Sequence, residues 1–265
     1  KMKKIGIVIP AYNEEKRIQR KLEEYSPYFL KKSKVEKNQY SILVVINNTK
    51  DKTEEIVKNF IKKPNNVAYI SLKKGGKGYA VTEGFKYFIS KKFDMAGFVD
   101  SDLATSPDAF YDLVNNIDGY SGIIGNRWSI ESKIDKKQNI IRRFASRIYN
   151  FMVRIMFFMK YNDTQCGAKL FKVNELKKIV NKIFITQWAF DINILYLCKL
   201  NGLRILEFPT AWADDGNTTV DTIRASIKMF SGTLRLRLIY SPFGFIVRVY
   251  DKLPRILKLN HYLIE

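Results

Sequence analysis

Histidine and cysteine are almost missing from this chain. Among 265 residues there is one histidine, His261, and two cysteines, Cys166 and Cys198. A single histidine near the end excludes a histidine-based triad and a histidine metal cluster. Two cysteines so far apart exclude a disulfide framework and a zinc site; they suit buried thiols in a reducing compartment. Acidic residues are also short: 26 Asp and Glu face 46 Lys and Arg, a net charge of +20. That balance suits nucleic acid, an anionic membrane surface or a phosphorylated substrate, while a solvated lysine-rich surface accounts for part of it. No uninterrupted apolar run reaches the roughly 18 residues of a membrane span, so no transmembrane helix is expected. The opening KMKKIGIVIPAYNEE is basic and then apolar. Its apolar run is brief, Pro10 cuts it and charges follow, so it reads as a buried strand rather than a signal peptide. No internal repeat or low-complexity segment is evident.

What is present is a globular composition, 46% hydrophobic, with enough chain for one large domain or two small ones. The first half alternates apolar runs with helical patterns. Buried strands are expected at 5–10, 41–47, 67–72, 95–100 and 122–126, and helices near 14–30, 51–63, 77–90 and 107–117. Such alternation predicts an α/β fold with a mostly parallel sheet covered on both faces. Ligands of these sheets lie beyond the carboxyl ends of the strands. Four polar clusters follow four strands: Pro10-Ala11-Tyr12-Asn13-Glu14, Asn47-Asn48-Thr49, Lys73 to Gly78, and Asp100-Ser101-Asp102. They should converge on one rim.

Two of those clusters carry chemistry. Asp100 and Asp102 are either ordinary turn residues or a pair of hard oxygen ligands for a divalent cation. LKKGGKGYA (72–80) lacks the Walker A pattern. It is either a turn capping the next helix or a diphosphate site, with backbone N–H groups and Lys73, Lys74 and Lys77 near a helix start.

The second half differs. From Gln138 to Lys160 a helical pattern sets Ile140, Phe144, Ile148, Phe151 and Ile155 on one stripe, beside Arg143, Arg147 and Arg154. Ile223, Ile227, Phe230 and Leu234 form a second stripe, flanked by Arg224, Lys228 and Arg235. Such helices either pack on a core or lie in a lipid interface with basic side chains reaching the headgroups. The tail GFIVRVYDKLPRILKL (244–259) favours membrane-surface contact. Residues 127–139 read as a mobile loop joining the two halves.

IVIPAYNEEKRI (7–18), NNTKDKT (47–53), GGKGYAVTEG (75–84) and VDSD (99–102) resemble the successive signatures of the family 2 glycosyltransferases of the GT-A fold. GNR (125–127), DTQCGAKLF (163–171), WAFDINILYL (188–197) and WADDGN (212–217) are similar to the branch that loads sugars onto dolichyl or polyprenyl phosphate. The likeness runs from about residue 4 to 235. It implies a GT-A catalytic domain over 1–217, with an acceptor loop and amphipathic helix at 127–160, and C-terminal amphipathic membrane-surface helices over 218–265.

The resemblance also implies roles. Mg²⁺ or Mn²⁺ would bridge the donor diphosphate and the aspartates, with Asp102 the main ligand and Asp100 on the metal or the ribose. Pro10, Ala11, Tyr12, Asn47 and Ser101 would line the nucleotide-sugar site. Glu14 would reach ribose or base, and Lys77 the diphosphate. Arg127, Arg142 and Ser146 would place the acceptor phosphate, with Arg143 and Arg147 as near substitutes, and Asp163 and Gln165 beside sugar and acceptor. Asp163 otherwise caps a turn before a strand. Asp191, between apolar neighbours, needs a partner, expected to be a sugar hydroxyl or an arginine. Trp188 would stack on the sugar or belong to the core.

The sequence also departs from its relatives. Asn47 stands where many have an aspartate, which leaves UDP or GDP open. Ala104 and Thr105 follow the D-x-D motif where mannose synthases often carry glutamine, which favours glucose, with UDP-glucose as donor ahead of GDP-mannose. The leading expectation is an inverting hexosyltransferase, peripheral on the cytoplasmic face of a membrane, with no nucleic-acid partner. The alternative enzyme extends a glycan on a sugar hydroxyl and needs Asp191 or Asp163 as base. A nucleic-acid-binding protein would explain the charge but not the rim clusters.

Overall fold

A computed structural model describes residues 2–135, 140–184, 187, 189–213 and 222–252. Its first half alternates strand and helix: β1 (Lys4–Ala11), α1 (Ile18–Glu36), β2 (Gln39–Asn47), α2 (Thr53–Phe60), β3 (Val67–Leu72), α3 (Lys77–Ser90), β4 (Met95–Val99), α4 (Pro107–Asn116) and β5 (Gly122–Asn126). Then come β6 (Lys133–Ile134), α5 (Ile140–Phe157), β7 (Ala168–Lys172), α6 (Val173–Ile179), α7 (Phe190–Leu200), β8 (Ile205–Pro209), β9 (Ala211–Trp212), α8 (Thr222–Ile239) and α9 (Gly244–Lys252).

Seven strands form one sheet in the order β3-β2-β1-β4-β7-β5-β8. The apolar runs have no polar face because both faces are covered. Along β1, Ile5, Ile7 and Ile9 enter one core and Val8 the other; Ile42 and Val44 of β2 likewise oppose Leu43 and Val45. Leu22, Tyr25 and Phe29 of α1 and Phe110 of α4 close the first core. Phe85 of α3, Val153 and Phe157 of α5, Ile194 of α7 and Leu236 of α8 close the second.

The mostly parallel sheet matches the expectation, with one exception. β7 runs antiparallel to both β4 and β5. It is a short run holding two lysines, Lys169 and Lys172, and no strand-helix-strand alternation marks it. β3 is half-buried rather than buried, because it forms the sheet edge. α1 runs unbroken across Pro27 and continues six residues past its expected end. The 127–139 loop is tied down along the part that is described. Ser132 Oγ donates to Asn126 O, and β6 pairs with β9. Residues 136–139 lie outside the described residues.

α8 is bound to the rest of the fold. Leu236 is fully buried, the Tyr149 and Thr233 hydroxyls are 2.5 Å apart, and Asn193 Nδ2 donates to Tyr240 OH at 3.1 Å.

Candidate active site

The four polar clusters meet at the carboxyl ends of β1, β2, β3 and β4, and hydrogen bonds join them. Asn47 ends β2 almost wholly buried. Its amide donates to Ala11 O (3.1 Å) at the end of β1 and accepts from Gly76 N (3.1 Å) before α3. The Asn47 amide therefore ties the end of β2 to the end of β1 and to the turn before α3. Asn13 and Asn48 adopt left-handed φ of 52° and 53°, which asparagine tolerates in tight turns. Asn13 N donates to Thr49 Oγ1, Lys50 N donates to Asn13 Oδ1, and Glu14 N donates to Thr53 Oγ1 at 2.7 Å. Pro10 and Ala11 are buried in β1, and Tyr12 stands half exposed above them. The Glu14 carboxylate holds Arg17 in a two-pronged contact (2.8 and 2.9 Å) and accepts from Ser101 Oγ at 2.9 Å.

Asp100 follows β4 and faces Lys77, the first residue of α3, with Nζ 2.7 Å from Oδ1. A cation in the first turn of a helix opposes the helix dipole and needs an anion beside it. Asp100 and Asp191 both supply one, the latter at 3.4 Å. Burial alone would lower the Lys77 proton affinity; the two carboxylates overcome it and hold the ammonium well above the ordinary lysine range. Gly167 packs against Asp100, where any Cβ would collide with Oδ2.

Asp102 Oδ1 accepts from Ala104 N at 3.2 Å. Burial, and then the charge of Asp100, push its carboxyl above the usual carboxylate range. Two crowded, partly dehydrated carboxylates are what a divalent cation relieves. Among the described residues no third Asp, Glu, His or Cys joins them. Asp100 and Asp102 thus fit as protein ligands of a Mg²⁺- or Mn²⁺-type ion whose remaining positions are left to phosphate oxygens and water.

Sequence reasoning missed what lies beneath this turn. Lys21 of α1 is fully buried; its Nζ donates to Asp102 O (2.7 Å) and Thr105 O (3.2 Å). Burial lowers its pKa to about 8 against the pull of Asp102 and Asp100. Tyr25, one helical turn on, donates to Thr105 O at 2.8 Å. The signal was a lysine on the apolar stripe Ile18, Leu22, Tyr25 and Phe29.

Asp191, in the first turn of α7, pairs with lysines rather than with the arginine offered as one of its expected partners. Besides Lys77, its Oδ1 accepts from Lys169 Nζ at 2.6 Å. Burial would raise this carboxyl; Lys169 and then Lys77 bring it below the usual range. Lys169 of β7 is fully buried and also donates to Cys166 O at 2.6 Å. Its clue was a lysine inside the apolar run of DTQCGAKLF.

A second ion pair borders the rim. Arg127 grips Asp163 with Nε at 2.7 Å and Nη2 at 2.9 Å, and its backbone N–H donates to Oδ2 at 3.0 Å. Burial opposes the Arg127 charge, and Asp163 holds it firmly protonated. Asp163 is 1% exposed and also accepts from Gln165 N (3.3 Å), so it both caps the turn and holds the arginine. Glu207 of β8, another residue missed, accepts from Asn162 N and Asp163 N at 2.8 and 2.9 Å. The Arg127 guanidinium lies 5.5 Å from the Trp212 ring centroid and 5.8 Å from that of Trp128, with Arg147 5.1 Å from Trp128. Ser146 is half-buried on α5. The side chain of Arg142, together with Trp188, residues 214–217, residues 253–259 and His261, lies outside the described residues.

Both thiols are buried and unpaired. Burial pushes Cys166 up to about 11 and Cys198 up to about 12.

The profile of glycosyl transferase family 2 matches residues 6–180. A dolichyl-phosphate beta-glucosyltransferase of Trichomonas vaginalis is 30% identical over 92% of this chain and 76% of its own length. That of Dictyostelium discoideum is 29% identical over 89% of this chain and 74% of its own, and the human one 27% over 90% and 76%. Among solved structures, glucosyl-3-phosphoglycerate synthase of Mycobacterium tuberculosis with UDP superposes with a TM-score of 0.64 at 17% identity. The match covers 91% of this chain and 82% of that one, and shows a shared GT-A fold.

Proposed function

We propose, from the premise that this chain belongs to glycosyl transferase family 2, that it moves glucose from a nucleotide diphosphate sugar onto a polyprenyl phosphate of the dolichyl type. Relatives similar over nine-tenths of the chain carry that activity in their names. The observation that carries the choice of acceptor is the state of two carboxylates. A sugar-hydroxyl acceptor needs a base within reach. Asp191 is clamped by Lys169 and Lys77, and Asp163 by Arg127. A phosphate acceptor needs neither, because its oxygen is already anionic.

In this reading Pro10 to Glu14, Asn47 and Ser101 border the nucleoside, and Lys77 turns toward the diphosphate. Asp102 with Asp100 would hold the divalent ion, which supplies charge neutralisation for the departing diphosphate. Arg127, with Arg142, Ser146 and Gln165, orients the acceptor phosphate. One phosphate oxygen bonds to the anomeric carbon as the bond from that carbon to the diphosphate oxygen breaks on the opposite face. The configuration inverts and the nucleoside diphosphate leaves.

The acceptor's lipid calls for a membrane, and the reading has the protein peripheral on the cytoplasmic face. No described helix is long and apolar enough to cross a bilayer. Phe144, Ile148, Phe151 and Ile155 of α5 are 53–67% exposed, and Ile227, Phe230 and Leu234 of α8 45–49%. Those two stripes, with their basic flanks, suit an anionic interface.

The test is a transfer assay with UDP-glucose, UDP-N-acetylglucosamine and GDP-mannose in turn. Each is paired with Mg²⁺ or Mn²⁺ and a polyprenyl phosphate in detergent, for wild type and Asp102→Ala. Metal-dependent glucosyl lipid, reduced on the order of 10²-fold or more in the variant, is expected. Donor hydrolysis that depends on Asp102 without lipid product would shift the acceptor to a glycan. No reaction with any donor would overturn the reading.

A further inference from the structure

We propose that Lys169 is a positioning residue, which sets where the Lys77 ammonium stands between Asp191 and the donor rim. The proposal rests on the reading of that rim as a nucleotide diphosphate site.

The geometry is a chain of four charges. Lys169 rises from β7, in the middle of the sheet, with a side chain at 0% exposure. Its Nζ is fixed by Cys166 O and by Asp191 Oδ1, each at 2.6 Å. That contact occupies one oxygen of Asp191 and leaves the other, Oδ2, to Lys77 at 3.4 Å. Lys77 completes the chain on Asp100 at 2.7 Å. Both ammoniums lie 5.4 Å from the centroid of the Phe98 ring, which floors the cluster.

The two lysines differ in freedom. Lys169 is enclosed, whereas Lys77 keeps 36% of its side chain exposed and reaches the rim. A lysine carries a compact charge on a flexible stem and moves to the strongest nearby anion. With Lys169 in place, Asp191 is already half neutralised and holds Lys77 only at the longer distance. Without Lys169, Asp191 presents its full charge to Lys77 and draws it inward, away from Asp100 and from an incoming diphosphate. A lysine that only neutralises a buried aspartate would affect stability alone. One that positions Lys77 must also change nucleotide affinity, and only while Lys77 is present.

That difference is measurable as a double-mutant cycle. Binding of UDP, with GDP in parallel, is measured by titration calorimetry in Mn²⁺ for wild type, Lys77→Met, Lys169→Met and the double variant. Lys77→Met should weaken binding about tenfold, the worth of one charge-assisted hydrogen bond. Lys169→Met should weaken it by roughly threefold to tenfold on the same scale. The double variant should bind no worse than Lys77→Met, within about twofold. Should Lys169→Met fail to fold, Lys169→Met/Asp191→Asn removes both buried charges together and leaves none unpaired. There no inner charge is left to draw Lys77 inward, so nucleotide affinity should be at or above that of wild type. Unchanged nucleotide affinity in Lys169→Met, losses that multiply, or a loss in Lys169→Met/Asp191→Asn would overturn the proposal while leaving the donor site standing. A wild type that binds neither nucleotide would overturn both.

Discussion

Lys21 shows how a single buried charge can serve a turn it does not belong to. Its ammonium is taken from water to meet two backbone carbonyls, those of Asp102 and Thr105. Burial dominates, so the folded pKa, about 8, lies below that of an unfolded lysine. Between those values the unfolded chain binds more protons than the folded one. The Lys21 contribution to stability therefore rises with pH across that window, and its penalty is fully present below it. Between pH 8 and pH 10 the urea midpoint of wild type should move upward relative to that of Lys21→Met, the buried thiols acting alike in both. Equal slopes would mean that Lys21 is not the buried titrating group. A lysine among Ile18, Leu22, Tyr25 and Phe29 was visible as an exception to a helical stripe. Its carbonyl partners lie 81 and 84 residues away, and no local pattern points to them.

α5 is the element on which the membrane reading is tested. Periodicity identified its apolar stripe but could not say whether it faced core or solvent. Its inward face is instead Asn150, Val153 and Phe157, all buried, with Tyr149 beside them. Phe144, Ile148, Phe151 and Ile155 are left on the outside. Burying one such side chain in a lipid interface is worth about 1.5–3 kcal/mol. Phe144→Glu/Phe151→Glu should therefore weaken binding to vesicles of anionic phospholipid by at least about 10²-fold. UDP affinity and melting temperature should stay near wild type, since neither side chain supports the core. Vesicle binding unchanged in co-sedimentation would remove α5 from the membrane face. β7 makes the complementary point about elements. Its short run, AKLFK with two lysines, gave no hint of antiparallel pairing, yet it seats Lys169 between β4 and β5.

At the scale of the molecule, +20 acts as a field rather than as a fold determinant. Each basic residue near an anionic bilayer contributes about 1 kcal/mol and is screened within a Debye length. Raising salt from about 0.1 to 0.5 M should lower vesicle affinity more than tenfold. UDP binding, made by a few close contacts, should fall much less. Co-sedimentation and calorimetry at the two salts measure both. Equal salt sensitivity would mean that the general charge serves the nucleotide rather than a surface.

The order of residues was enough to set the alternation of strands and helices, the rim on which four loops meet, and the paired aspartates that follow β4. Those features are local, written in apolar runs and in the polar residues at their ends. The same order marked Lys77, Arg127, Asp163 and Asp191 as residues with chemistry to do. Their partners were chosen by the folded chain alone. Asp191 pairs with lysines from α3 and β7, Asp163 with an arginine 36 residues earlier, and Asn47 with the backbone at the end of β1 and in the turn before α3. A buried charge must find a partner, but which one is set by packing between distant segments, and spacing along the chain does not encode it.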